Sequence, residues 1–469
     1  MSTAEALLPQ DRQVDLLLIH ALIVTMDAER RIVSDGAIAV RADRIVAVGK
    51  TVDLVRDYVA AETIDASRFV VLPGLVNAHI HVTGEPLTRG CAPDDIDFNT
   101  LIFNWLSPVH FAHTPEDEKL AAQFAALEML RTGTTTFLDA GTCCFLDHVV
   151  DGMRSMGIRG RVGQWSWDAL DAPMSGPTDR VIRGLQDELA RYPTTPDQLV
   201  SAWPILIGHH TCTDTLWQAA KALADEHGVG LGFHMSPVAN DAAWFLEKHG
   251  KRPFEHLADL GVLGRNIVAT HAVHLDQNEV ALLGAAGASV AHCPMTALRG
   301  AYGATTLGRF PELVAAGVNL ALGSDGSNDS NTADLYRAIF LLAGLSKDAR
   351  RDPTLFPAER ALEHAILGGA RALLLEDQIG SLEPGRKADF VLHDTDRPEW
   401  RPLLNVVNQL VWSVDGRSVH SVWVDGVRVV DSYRSTMIDE DKLFAEVEIA
   451  GRRILQAAGL PDSARWPRV

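Results

Sequence analysis

At 469 residues the chain exceeds one minimal barrel and leaves room for a second, smaller domain. Hydrophobic residues make up 47% and charged residues 22%, an ordinary globular balance, and 42 basic against 61 acidic side chains leave a net charge of −19. That charge argues against nucleic acid and against an anionic membrane surface as partners, and says nothing about a pocket that differs from the surface.

No run is long or apolar enough to span a membrane, and the opening residues 1–6 lack the basic start and apolar core of a secretory signal. Five cysteines (Cys91, Cys143, Cys144, Cys212 and Cys293) have no repeating spacing, so the expected setting is reduced and cytoplasmic. Residues 14–48 alternate apolar and polar, with turn signals at Asp35-Gly36 and Ala42-Asp43, which predicts short β-strands. The next run, residues 71–81, is apolar and ends in His79 and His81. On an extended backbone, residues i and i+2 face one side, so both imidazoles reach a single ion beyond the strand end. Two borderline-soft nitrogen donors suit zinc, iron or cobalt and poorly suit calcium or magnesium.

A lone pair of histidines carries little weight, but further candidates follow, each just after its own apolar run. Residues 228–234 end at His234, and residues 266–271 end at His271 with His274 three positions on. Residues 288–294 carry His292, and residues 317–326 carry Asp325. Asp139 ends another run, Trp165 and Trp167 alternate along the next, and His209 and His210 end residues 202–210. Such short, near-continuous apolar runs read as strands of a parallel sheet buried on both faces. Helical patterns over Pro115–Arg131 and residues 213–227 lie between them. This alternation predicts a (β/α)8 TIM barrel over residues 71–379, with the candidate ligands at the strand C-termini, where such barrels carry their chemistry. Strand-like texture returns in residues 387–393 and 421–430, with a hairpin turn at Asp425-Gly426. Residues 1–70 plus 380–435 are therefore expected to form a small discontinuous β-sandwich domain, followed by a C-terminal helical segment over 436–469.

Several stretches together carry a family resemblance: Pro73-Gly-Leu-Val-Asn-Ala-His-Ile-His81, Leu87-Thr-Arg-Gly90, Arg131-Thr-Gly-Thr-Thr-Thr136, Thr270-His-Ala-Val-His-Leu-Asp276, Val290-Ala-His-Cys-Pro294, Gly317-Val-Asn-Leu-Ala-Leu-Gly-Ser-Asp-Gly326 and Ile379-Gly-Ser-Leu-Glu-Pro-Gly-Arg-Lys-Ala-Asp389. The chain resembles the amidohydrolase superfamily, and within it the cytosine-deaminase-like, S-adenosylhomocysteine-deaminase-like and triazine-hydrolase-like enzymes. The resemblance implies that His79, His81, His234 and Asp325 bind one divalent metal (zinc before iron, cobalt or manganese), and that His271 hydrogen-bonds the attacking water or the substrate oxygen. Asp325 would also accept the water's proton. Members with two metals bridge them through a carboxylated lysine on the fourth strand, and residues 202–210 contain none. The resemblance also implies a homo-oligomer.

Two departures redirect the expected chemistry. Deaminases of this group place a proton-shuttling glutamate three residues after the fifth-strand histidine, where this chain reads His234-Met-Ser-Pro237. The serine and asparagine that usually follow the histidine-cysteine-proline run are replaced by Met295-Thr-Ala-Leu-Arg299. The leading expectation is hydrolysis of a non-peptide C–N or C–S acyl bond of a small molecule: an amide, carbamate, thiocarbamate or urea. The alternative is deamination of a purine, pyrimidine or triazine with His274, Glu85 or a water relay as substitute acid. A remote third is a non-catalytic binding member of the fold. His274, His292, His209, His210 and Trp167 are candidates for the substrate pocket, each with a structural hydrogen bond or packing as its ordinary role. Cys143 and Cys144 are expected to pack.

Overall fold

The computed structural model describes residues 12–169 and 175–467; the opening residues read above for a secretory signal lie outside them. The alternating N-terminal segment forms strands Gln13–Val24, Ile32–Arg41 and Arg44–Lys50, joined by antiparallel pairing. The Ala42-Asp43 turn is found where expected, between Arg41 and its partner Arg44. Asp35-Gly36 is not a turn but lies inside a strand, opposite a register shift around Ala21. The cause is a bulge: His20 and Asp35 adopt φ of +67° and +47°. At the same place a Cβ on Gly36 would come within 2.7 Å of Ile23 Cδ1. The turn residues supply the tight, left-handed backbone that an irregular strand needs as much as a hairpin does.

Phe69–Pro73 joins the two ends of the chain, pairing parallel with Gln13–Val24 and antiparallel with Phe390–Asp394. A nine-stranded sheet results, which continues through Val419–Val424 and Val427–Asp431. Between those two, Asp425 and Gly426 have φ of +53° and +77°, the hairpin turn their sequence predicts. One face of this sheet buries Leu18, Ile38, Val71 and Leu392, with Phe390 and Trp423 stacked at 4.9 Å.

The middle of the chain is parallel α/β. Leu75–Ile80, Thr134–Asp139, Arg159–Val162 and Val200–Ala202 form one sheet; Ile205–Gly208, Leu231–Met235, Ile267–His271, Ser289–His292 and Asn319–Leu322 form a second. The single strand expected over 202–210 is split at Trp203-Pro204, since proline cannot donate to a ladder. Main-chain bonds still span the break, from Trp203 N–H to the Val162 carbonyl (2.9 Å) and from Ile207 N–H to the Ser166 carbonyl (3.1 Å). At the other margin the Asn77 amide donates to Ser324 Oγ (2.8 Å) and the Asp325 N–H to the His79 carbonyl (2.9 Å), so the last strand end is tied to the first. Pro115–Arg131 starts with a Thr114/Asp117 capping box, and Asp214–His227 ends at Gly228 with φ +64°. The expected C-terminal helix is Glu440–Ala457, capped by Asp439. Among the described residues no helix is long and apolar enough to cross a membrane.

One buried ion cluster connects the terminal sheet to the parallel strands. Arg159, opening Arg159–Val162, donates to Asp389 (3.1 and 3.2 Å) and to Asp425 (3.0 Å). Arg159 and Asp389 are both buried. Removing one partner of such a cluster leaves desolvated charge behind. Arg159→Met is therefore expected to destabilise the protein by about 3–5 kcal/mol. A urea titration followed by tryptophan fluorescence checks this; an unmoved midpoint would contradict it.

Candidate metal centre and active site

The sequence-predicted ligands converge. His79 comes from the end of Leu75–Ile80, His81 from just beyond it, and His234 from Leu231–Met235. Their ring centroids lie 5.3 Å (His79–His81), 4.7 Å (His79–His234) and 5.5 Å (His81–His234) apart. Asp325, just past Asn319–Leu322, places Oδ1 3.3 Å from His79 Nε2 and 3.1 Å from His81 Nε2. His271 Nε2 stands 3.9 Å from the other oxygen of Asp325.

Neighbours fix the imidazoles. His234 Nδ1–H donates to the Ile207 carbonyl at 2.9 Å, which leaves its Nε2 lone pair free. His79 Nδ1 pairs with Thr270 Oγ1 at 3.0 Å. His79 Nε2 and His81 Nδ1 are buried without a partner. Orphaned nitrogens inside a set of three imidazoles and one carboxylate fit a divalent ion of the zinc type, and fit calcium or magnesium poorly. The backbone here is strained: His209, Ser236, His271 and Asp325 all have positive φ, from +52° to +73°. Each such residue costs about 1–3 kcal/mol and persists only where its surroundings over-determine it. Gly208 belongs to the same arrangement, because a Cβ there would stand 2.1 Å from the His234 carbonyl oxygen.

Burial sets most of the electrostatics. It pushes His271 down to about 3 and His234 well below the usual histidine range, so both are neutral ligands or donors. Burial opposes ionisation of Asp325 too, but the imidazoles of His79 and His81 close to its oxygens outweigh it and hold its carboxyl well below the usual range. Glu85 is raised by burial, and Asp329 well above the carboxylate range by burial and then by repulsion from Glu85.

A cavity of about 260 Å³ opens over this cluster. Its walls are largely apolar, with Phe98, Ile102, Phe103, Phe111, Trp165 and Trp167 prominent. Several of these come from residues 98–111, which include the π-helical stretch Thr100–Leu106. His209, His210 and Trp167 line the cavity as expected. His274 and His292 do not. His274 Nε2–H donates to the Tyr302 carbonyl at 2.9 Å, and the His292 ring stacks on Phe310 at 3.7 Å. Cys143 is buried and directs its thiol to Asp139 (3.2 Å), while Asp139 accepts the Gly141 N–H, so both are structural. Pro237 is absent from the walls, and Asp241, four residues on, reaches the site by another route. Its Oδ2 accepts from His209 Nδ1–H (2.7 Å) and from Ser236 N–H (2.6 Å). Asp329, His110, the pairing of His209 with Asp241 and the part of the aromatic wall that comes from residues 98–111 are not among the expectations from sequence. Only three-dimensional proximity relates them.

Residues 70–429 match the Amidohydrolase family. Over 442 residues the chain is 33% identical to a 5-methylthioadenosine/S-adenosylhomocysteine deaminase of Syntrophobacter fumaroxidans, covering 94% of this chain and 99% of that protein. A Moorella thermoacetica protein of the same name is 32% identical over 427 residues, 89% and 94% of the two chains. Among solved structures, a zinc-bound adenosine deaminase from Xanthomonas campestris superposes with a TM-score of 0.89 at 30% identity, over 95% of this chain and 99% of that one. An atrazine chlorohydrolase from Arthrobacter aurescens TC1, complexed with zinc, shares the fold with a TM-score of 0.84 at 24% identity, over 94% and 100%. The chain is a hydrolase of carbon–nitrogen bonds other than peptide bonds and belongs to the amidohydrolase family.

Proposed function

We propose that His79, His81, His234 and Asp325 hold a single divalent metal, zinc first among the candidates, and that the protein hydrolyses a C–N or C–S acyl bond of a small amide, carbamate, thiocarbamate or urea. The observation that carries this reading is the gathering of His79, His81 and His234, with Asp325 against the first two, beneath an apolar cavity in a chain whose usual glutamate position is Pro237. A metal held there supplies Lewis acidity and lowers the pKa of water from about 16 toward about 7. Asp325, kept ionised, takes the proton of the attacking water. Neutral His271 holds the substrate oxygen as charge grows on it. The leaving nitrogen or sulfur needs a proton, and His209 is placed to give it. Its Nδ1–H is fixed on Asp241, which leaves the other ring nitrogen for the substrate side. His274 is committed to Tyr302, whereas Glu85 lines the cavity. One metal rather than two is favoured because the split fourth strand, Val200–Ala202 and Ile205–Gly208, carries no lysine.

A second reading, deamination of a purine, pyrimidine or triazine, is favoured by the names of the relatives. Product analysis separates the two: metal-loaded protein is run over aminated heterocycles and over N-aryl or N-alkyl amides, carbamates and ureas. Release of an intact amine or thiol is expected, and ammonia from a ring would overturn the acyl reading. On the substrate so found, Asp241→Asn should lower kcat about 100-fold with metal content unchanged. An unaffected kcat would remove His209 from the mechanism.

We also propose that the two parallel sheets close into one (β/α)8 barrel over 71–379. Residues 1–70 plus 380–435 then form a separate β-sandwich domain, a division favoured by the distinct apolar core of the terminal sheet. Self-association into a homo-oligomer belongs to the same reading and is measured by light scattering.

A further inference from the structure

Besides the four proposed ligands and the His209–Asp241 pair, the cavity holds two further carboxylates, Glu85 and Asp329, the second with an oxygen within 4.8 Å of ligand atoms on His81 and Asp325. Glu85 is fully buried; one oxygen accepts the Asn328 N–H at 2.6 Å and the other, Oε1, has no partner. Asp329 is 6% exposed and its Oδ1 likewise has no partner. His110, 5% exposed, leaves both ring nitrogens unpartnered, with Nε2 3.9 Å from Glu85 Oε1. All three line the cavity. Beside them stands an aromatic wall: the His110 and Trp165 centroids are 4.8 Å apart, Trp165 and Trp167 5.0 Å, and Phe111 stacks on Trp165 at 5.9 Å. Among the described residues no lysine or arginine lines the cavity. Arg299, whose charge acts on both carboxylates, lies off its walls and gives Nη2 to the Ala92 and Pro93 carbonyls.

Buried acceptors without donors are costly, and buried carboxylates more so unless a cation or several N–H groups meet them. Two such groups in a cavity that Trp165 and Trp167 also line match a flat cation: its N–H fork bonds carboxylate oxygens while its π-face meets the aromatic wall. An acid is disfavoured at this corner of the cavity, because its charge would meet Glu85 and Asp329 with no lysine or arginine on the described walls.

We infer that Glu85, His110 and Asp329, with Trp165 beside them, form a recognition subsite for a planar nitrogen cation, an amidinium or guanidinium, carried on the uncleaved part of the substrate. This rests on the reading of the cavity as the active site, and it names a part of the substrate that the reacting bond does not specify.

The test is a binding measurement, independent of turnover. Isothermal titration of the metal-loaded protein is made with benzamidine and benzamide, which share a ring and differ in charge. Benzamidine should bind about tenfold or more tighter than benzamide, the size of effect that one charge-assisted contact gives. Glu85→Gln and, separately, Asp329→Asn should each remove most of the benzamidine preference while benzamide affinity stays within about threefold. The wild-type comparison stands even if a variant fails to fold. Benzamide binding as tightly as benzamidine would overturn the proposal. So would metal analysis giving two equivalents in the wild type and one in Glu85→Gln, since the carboxylates would then hold a second ion. Absence of an amidine preference in wild-type protein that hydrolyses acyl substrates would sink only the subsite, whereas amidine binding without hydrolysis would sink only the proposed reaction.

Discussion

Asp325→Ala is expected to lose both bound metal and turnover. The carboxylate stands 3.1–3.3 Å from two of the three imidazoles and is the only negative ligand among them. Without it a divalent cation would rest on neutral nitrogens alone, inside a buried site where the ion's charge is poorly screened. The same side chain is the base in the proposed reaction, so its removal also takes away a proton acceptor worth about 10²–10⁴-fold. Rates should fall by about 10⁴-fold or more, and elemental analysis should find less than stoichiometric metal. His79→Ala should behave alike, because its unpartnered Nε2 is part of the same shell. A milder phenotype is expected from Asp325→Asn, which keeps the shape and loses the charge. Full activity in Asp325→Ala would discard the mechanism.

The convergence of the proposed ligands is legible in sequence because strand-end chemistry is local. His79 and His81 share a strand face by periodicity, and His234, His271 and Asp325 each follow an apolar run that can only be a buried strand. Pro237 was legible as a missing acid, but its replacement was not. His209 and Asp241 are 32 residues apart on different elements, and a left-handed φ at His209 accompanies their pairing. Beyond Trp165 and Trp167, the aromatic wall is equally hidden. Residues 98–111 wind partly as a π-helix, so their apolar side chains obey neither the helical nor the strand period. His274 shows the opposite failure: it stands in a motif beside His271, yet the turn after Ile267–His271 directs its ring to the Tyr302 carbonyl and away from the cavity. Asp35-Gly36 has the same lesson for the fold, since a residue pair that permits left-handed backbone marks a bulge as readily as a hairpin.

His271→Ala is the variant that separates holding the metal from using it. His271 ends Ile267–His271 with its Nε2 3.9 Å from Asp325 Oδ2, while His79 and His81 stand against the other oxygen, Oδ1. Its removal deletes no member of the proposed ligand shell, so metal content should stay near one equivalent. The rate should not survive so well. Burial keeps the imidazole neutral down to about pH 3, so across the working range it presents one fixed N–H donor that needs no reorganisation as charge develops on the substrate oxygen. Deleting one such donor costs about 10²–10³-fold in kcat. KM should change little, because the donor serves the transition state more than the ground state. Asparagine can present an N–H from a similar distance and should recover part of the loss, whereas phenylalanine should recover none. Metal lost together with activity in His271→Ala would move this residue into the ligand shell. Unchanged kcat would leave the oxygen of the substrate without a protein partner and return the weight of catalysis to the metal alone.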